Sequence, residues 1–451
     1  MSEGVRVMHL LVLVCVCSCL GSTGCDSVLS RGTPCCDAAP VRDQAPDERA
    51  VADSAARDSG ARDAASAGDD EGAPDGPIAP APDATVAKPD GPVAKPDGPV
   101  AKPDALPGNI VKVTSCAQAA VQSAINAAAN GDTVLLPGGS CTWASAVSIP
   151  GSKALTLDGG GATIDGAVQL TQNGSASSRI TNLSFVRPSS KTPCIAIGGT
   201  KASAPFRVDH NTFSYAAGGS TIIEVSGNAP GLIDNNKLDC PGNCEMIHNM
   251  GMGPTDPSGW SDDIVPGSAA AVYIEDNVFT NTGATGNPAY FWGSSAVQSY
   301  YGARTVFRYN TLVMSQVDQH GTSGMIGARW WEVYENMFST DVPNASQCCF
   351  ITLRAGSGVV FGNHHVGANL NGDSIDLYEE DTGYPALYQV GRGKNQVLDP
   401  AYLWSNDAFF SIGSQTPAMV QPNRDYYLAP RPGYQPLAHP FPLGANGLPG
   451  P

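Results

Sequence analysis

Residues 317–338 read VDQHGTSGMIGARWWEVYENMF. The second half, WWEVYENMF, has relatives elsewhere: FRVDHNTF at 206–213, GLIDNNKL at 231–238, VYIEDNVF at 272–279, TVFRYNTL at 305–312 and, more loosely, GVVFGNHH at 358–365. Each relative carries one aligned asparagine, and Asn211, Asn236, Asn277, Asn310, Asn336 and Asn363 are separated by 25, 41, 33, 26 and 27 residues. Spacings near 26 suit one turn of a β-solenoid, and the two longer ones mark insertions at about 240–270 and 281–303. Three residues before each asparagine stands Val208, Ile233, Ile274, Phe307, Val333 or Val360; two after stands Phe213, Leu238, Phe279, Leu312, Phe338 or His365. Such columns face inward, one residue per coil at a strand spacing of ~4.8 Å. The asparagines then form a ladder at a corner, each amide bonded to the next coil. His365, the exception in its column, reads as a structural histidine.

Ahead of the coils lies SCAQAAVQSAINAAANGDTVLLPGGSCTW, residues 115–143. Ser115 and Gln118 read as a capping box, Val121, Ile125 and Ala128 fall on one helical face, and Asn130-Gly131 stops the helix before TVLLP. This helix, with the repeats behind it, resembles the N-terminal cap and coils of the pectate-lyase-like superfamily over about 110–445. The resemblance implies an all-β fold, a right-handed parallel β-helix whose open end the helix plugs.

Three segments are expected: a signal peptide at 1–25, a linker at 26–108 and the β-helix domain at 109–451. The start, MSEGVRVMHLLVLVCVCSCLGSTGC, has one arginine and an apolar run too short to span a bilayer, so export is expected. VCSC resembles a bacterial lipobox and STGC a poorer one, which makes Cys19 or Cys25 the candidate lipid acceptor and cell-surface attachment the alternative to secretion. The linker, rich in Ala, Asp and Pro, ends in repeats of AKPDGPV and cannot bury enough apolar surface to fold.

In an oxidising compartment the cysteines from 116 onward read as bridges. Cys116 with Cys141 is the first pairing, Cys240 and Cys244 could close a small loop, and Cys348 and Cys349 compete for Cys194. CPGNC beside one histidine, His248, falls short of a zinc set.

Charge narrows the partners. The whole chain carries a formal net charge of -17, and from position 109 onward 25 acidic residues face 16 basic ones. Such a surface repels polyanions, so no nucleic acid partner is expected. An acidic polysaccharide would need a bridging cation or a confined cluster of Arg and Lys.

A second strand per coil is expected to end at a small residue: CIAIGG, TIIEVSG, YFWGS, DQHGTSG and CFITLRAG. Aligned there, Trp292, His320 and Arg354 would stack in successive coils. An indole packs on a sugar face, a near-neutral imidazole moves a proton, and a guanidinium holds a carboxylate. These are the parts of a β-elimination. Arg329 and Glu380, with Asp376, Glu379 and Asp381 in the same run, are further candidates for the chemistry. Asp318, Arg392 and Lys394 are candidates for holding substrate.

Asp209, Asp234 and Glu275 align one per coil and make Ca2+ a candidate cofactor. The order Asp262-Asp263, His320, then Arg392 and Lys394 is similar to polygalacturonases, but Asp262 precedes His320 by 58 residues, which is wrong for neighbouring coils. The expected function is an extracellular polysaccharide-degrading enzyme, lyase ahead of hydrolase. A non-catalytic glycan-binding or adhesion module is the alternative. Oligomeric state is left open.

Overall fold

The computed structural model describes residues 108–449 except 188–191, 216–220, 243, 282–293, 322–324, 341–348, 368–373, 380–382, 409, 415 and 445–446. Cys19, Cys25, Trp292, Cys348, Glu380 and Asp381 lie outside the described residues. Among the described residues, strands pair in parallel into sheets of twelve, ten and nine strands. A coil visits the ten-stranded sheet, then the twelve-stranded, then the nine-stranded, as in Ile195–Gly199, Phe206–Asp209 and Thr212–Tyr215. The next coil repeats this, so the chain is a right-handed parallel β-helix, the hand that parallel crossovers take.

The two apolar columns are built as the repeats required. Val208, Ile233, Ile274, Phe307, Val333 and Val360 are register partners in turn, as are Phe213, Leu238, Phe279, Leu312, Phe338 and His365. All but His365 are buried. His365 meets Thr340 Oγ1 through Nε2 at 3.0 Å and packs its ring on Phe350.

The asparagines stand where the chain bends from the twelve- to the nine-stranded sheet. Asn310 shows the pattern: its N–H and Nδ2 donate to Asn336 Oδ1 at 3.0 and 3.1 Å, and Nδ2 also donates to the carbonyls of Ile274 and Arg308. The bend places the preceding residue in the left-handed region, with φ of 55° at His210, 54° at Asn235, 56° at Asp276 and 53° at Tyr309. Asn406, which the repeats did not reveal, adds a rung below Asn363.

The cap helix spans Gln118–Ala127 and buries Val121 and Ile125. The capping box is absent: Ala117 is the N-cap, with no side-chain bond. Ser115 Oγ accepts from Ala117 N–H, while Gln118 reaches across to Ser145 and Ala146. Anchoring to the first coil wins over a local cap. Cys116 is bonded to Cys141 and Cys240 to Cys244, so the latter pair offers no thiolates to a metal.

The outer face of the twelve-stranded sheet is charged and covered. Arg179 grips Asp209, Arg207 grips Asp234 through Nε at 3.0 Å and Nη2 at 2.8 Å, and Arg308 Nε grips Glu275 at 2.6 Å. A C-terminal strap lies over them: Arg207 Nη1 donates to Gly447 O, Arg308 to the carbonyls of Leu437 and Ala438, and Phe441 N–H to Glu275 Oε1. Further along, Tyr334, Phe361 and Trp404 stack at 4.6 and 4.5 Å.

Candidate functional site

The outer face of the ten-stranded sheet gathers polar and titratable side chains. His248, Gln298, Asp318, Thr352 and Asp376 are successive register partners along it. One residue past the strand ends, Tyr300, His320 and Arg354 continue the pairing, each donating its N–H to the coil above: to Asn249, Ser299 and Gln319 at 2.8, 3.0 and 2.9 Å. Side chains alternate across a strand, so Asp318 and His320 point out while Val317 and Gln319 point in.

His320 and Arg354 therefore stand on neighbouring coils. The residue stacked on His320 is Tyr300, with ring centroids 4.2 Å apart. Trp292, expected in that column, lies outside the described residues; the strand described in this coil is Ser295–Ser299, with Val297 and Ser299 inward. EMIHN, passed over in the sequence, is also a strand, Glu245–Asn249, and brings His248 edge-on to Tyr300 at 4.8 Å. The legible signal was its alternation, with Ile247 inward and His248 outward.

Burial pushes both imidazoles down to about 4, and His320 feels a smaller opposing pull from Asp318. Both rings are neutral at pH 7. His320 Nδ1 is buried without a hydrogen-bond partner among the described residues. Burial also raises the Tyr300 hydroxyl, reinforced by the negative charges of Glu245 and Asp318, so it keeps its proton. That hydroxyl donates to Gln298 Oε1. Glu245 is raised by burial and then by Asp318, and its Oε2 lies 3.3 Å from His248 Nε2. Arg354 holds Asp318 in a two-point fork, Nε to Oδ1 at 3.1 Å and Nη2 to Oδ2 at 2.5 Å. Asp376 lies on the same face two coils below Asp318.

The other expected residues lie elsewhere. Arg329 faces Asp399 and the Trp260 ring, Lys394 bonds Asp263 at 2.9 Å, and Arg392 bonds the Tyr384 hydroxyl. Asp262 is shared by Lys201 and Arg304, so the polygalacturonase-like order of motifs does not converge on His320. Glu379 is buried, its N–H donating to Thr416 Oγ1.

Calcium does not fit the aligned carboxylates. Asp209, Asp234 and Glu275 are buried and their oxygens already accept from arginines. At Asp209 burial acts upward, but the bonds from Arg179 and His210 outweigh it and bring the carboxyl to about 2. Glu275, Asp276 and His439 bring ligand atoms within 4.8 Å of one another, yet Glu275 is held by Arg308 and the Phe441 N–H. A cavity of about 820 Å³ is walled by small residues such as Ala154, Ala204 and Ala270, with Lys201 its one charged residue among the described lining, and offers no base.

The fold thus defines a parallel β-helix protein with one neutral His–Tyr–His stack beside an Arg–Asp fork. No protein-family model matches the chain, and no match is found among curated proteins. Among solved structures, the chain is similar to a mutant of the PL6 family alginate lyase AlyGC, at 12% identity and a TM-score of 0.32 over 72% of this chain and 53% of that one. It is also similar to an alginate lyase from Paenibacillus sp. str. FPU-7, at 12% identity and a TM-score of 0.29 over 72% of this chain and 97% of that one. The chain spans about half the length of the first of these.

Proposed function

We propose that this protein is an exported polysaccharide-degrading enzyme that cleaves an acidic glycan by β-elimination on the outer face of the ten-stranded sheet. The observation that carries the reading is His320: an imidazole kept neutral by burial, lying on a protonated Tyr300 and one coil from Arg354.

Elimination removes the proton on the carbon beside a uronate carboxyl, places the electron pair in a carbon–carbon double bond, and expels the glycosidic oxygen, which takes up a proton. His320 is the base and Tyr300 the donor to the leaving oxygen. Arg354 neutralises the carboxylate, which lowers the cost of the carbanion-like state. Asp318 holds the guanidinium in plane until substrate arrives, and the carboxylate of the sugar shares or replaces it.

The same fork supports a second reading. An arginine already satisfied by Asp318 suits a glycan-binding module, which would bind sugar without cleaving it.

Incubating the full chain with a panel of acidic polysaccharides, while following ultraviolet absorbance of the unsaturated product, separates the two. Elimination predicts absorbance growth that falls at least ~100-fold in His320→Ala and in Tyr300→Phe. New reducing ends without absorbance would mean hydrolysis. Glycan binding with no cleavage by the parent would sink the enzyme reading. Export and a lipid on Cys19 or Cys25 belong to the same proposal, and mass spectrometry of the mature N-terminus tests them.

A further inference from the structure

Round the turn from His320, on the outer side of the twelve-stranded sheet, a hollow of about 270 Å³ gathers basic residues. Its walls carry Arg329, Lys394 and Arg431 against Asp263 and Asp399, a surplus of one positive charge on a strongly acidic chain. Arg431 is engaged: it donates to Asp399 Oδ1 at 2.9 Å and Pro400 O at 3.2 Å, with its guanidinium over the Trp330 ring. Among the described residues Lys394 is held only by Asp263, and their side chains are 40% and 83% exposed, so this pair opens at little cost.

Arg329 differs from both. Its side chain is 4% exposed, and Nη1 stands 3.6 Å from Asp399 Oδ2, beyond hydrogen-bond range. Nε and Nη1 make no hydrogen bond among the described residues. The guanidinium rests against the Trp260 ring, 5.4 Å from its centroid. Asp399 is its ion-pair partner, but two buried N–H-bearing atoms that make no hydrogen bond are costly. Burial pushes its proton affinity down, Asp399 opposes, and the nearby Arg304 and Arg431 charges add to the fall. Another anion at Arg329 would relieve both the missing bonds and the crowding of cations.

We propose that this hollow binds a small oxyanion, free or carried on a single sugar ring. Arg329 supplies a buried guanidinium charge in the wall and Lys394 turns from Asp263 to close over the ligand. The volume falls just below the ~300–1,000 Å³ of sites for drug-sized ligands, which suits one ring or an inorganic anion rather than a chain segment. The proposal does not depend on elimination chemistry.

Trp330 lines the hollow and Trp260 rests against Arg329, so both report on it by fluorescence. The full chain is titrated with sodium sulfate, sodium galacturonate and galactose at constant ionic strength. Saturable change with galacturonate alone marks a sugar-borne anion; saturation with sulfate as well marks a site for free oxyanions. Lys394→Gln, at an exposed position, weakens binding about tenfold, the loss of one charge-assisted bond. Arg329→Gln, checked for folding by circular dichroism, abolishes it. No saturable change with either anion, an equal response to galactose, or affinity unaltered in Lys394→Gln overturns the proposal.

Discussion

At the residue scale the governing fact is that His248 and His320 fold as neutral rings. An unfolded histidine titrates near 6.5, and these two are brought to about 4 by burial. Between those values the unfolded chain binds protons that the native chain refuses, so stability is full above pH 6.5 and declines as pH falls towards 4. The loss is at most about 3 kcal/mol per histidine at 1.36 kcal/mol per pH unit. Melting curves from pH 7 to 4 should show this decline flattening in His248→Gln and His320→Gln. If His320 is the base, the acid limb of kcat lies near pH 4 rather than 6.5, and an initial-rate profile reads it. A limb near 6.5 would mean that another group, or an exposed imidazole, takes the proton. His320 and Arg354 were legible in sequence because a glycine or alanine follows each strand end at a comparable place. Tyr300 was not, since its strand, Ser295–Ser299, lacks bulky residues and the neighbouring FWGS has the stronger strand pattern in sequence.

At the scale of the element, the asparagine ladder is what makes one coil hold the next. Asn310→Ala removes the acceptor for the Asn277 N–H and leaves that group buried and unpaired, while Asn277 Nδ2 keeps the carbonyls of Ile233 and Glu275. Each unsatisfied group costs ~1–3 kcal/mol, so the midpoint of urea unfolding should drop clearly with little change in slope. Gly358 is the matching requirement in the core: a Cβ there would sit 1.8 Å from Trp331 O and 2.4 Å from its indole. Gly358→Ala should destabilise by ~1–3 kcal/mol through overpacking, seen in the same unfolding curves. The ladder was readable because each rung repeats one apolar–x–x–Asn–x–apolar pattern. The capping box was misread because Gln118 has a better partner in the first coil than in its own turn, and such a partner is invisible to local pattern.

For the whole molecule, the covered charges decide more than the repeats do. Arg308→Met would strand Glu275 in the interior, and an uncompensated buried charge costs ~3–5 kcal/mol. Thermal denaturation should show a larger loss than Lys394→Gln, whose ion pair is open to water. Arginines and carboxylates of this face were visible in the sequence of the repeats, as in FRVD, VYIE and VFRY, but nothing local announced what lies over them. The strap meets them from as many as 240 positions away, with no period to read. Deleting residues 437–451 should therefore lower the melting temperature and bring soluble aggregates on gel filtration, as the uncovered sheet meets its neighbours.

The strap leaves the ribosome after every coil it covers. Coils can wind in order as they are made, but the lid over Arg207, Glu275 and Arg308 comes only with residues 437–447. A product of premature termination would be a nearly complete spiral with one wet, charged flank, open to proteases that pass over the finished protein.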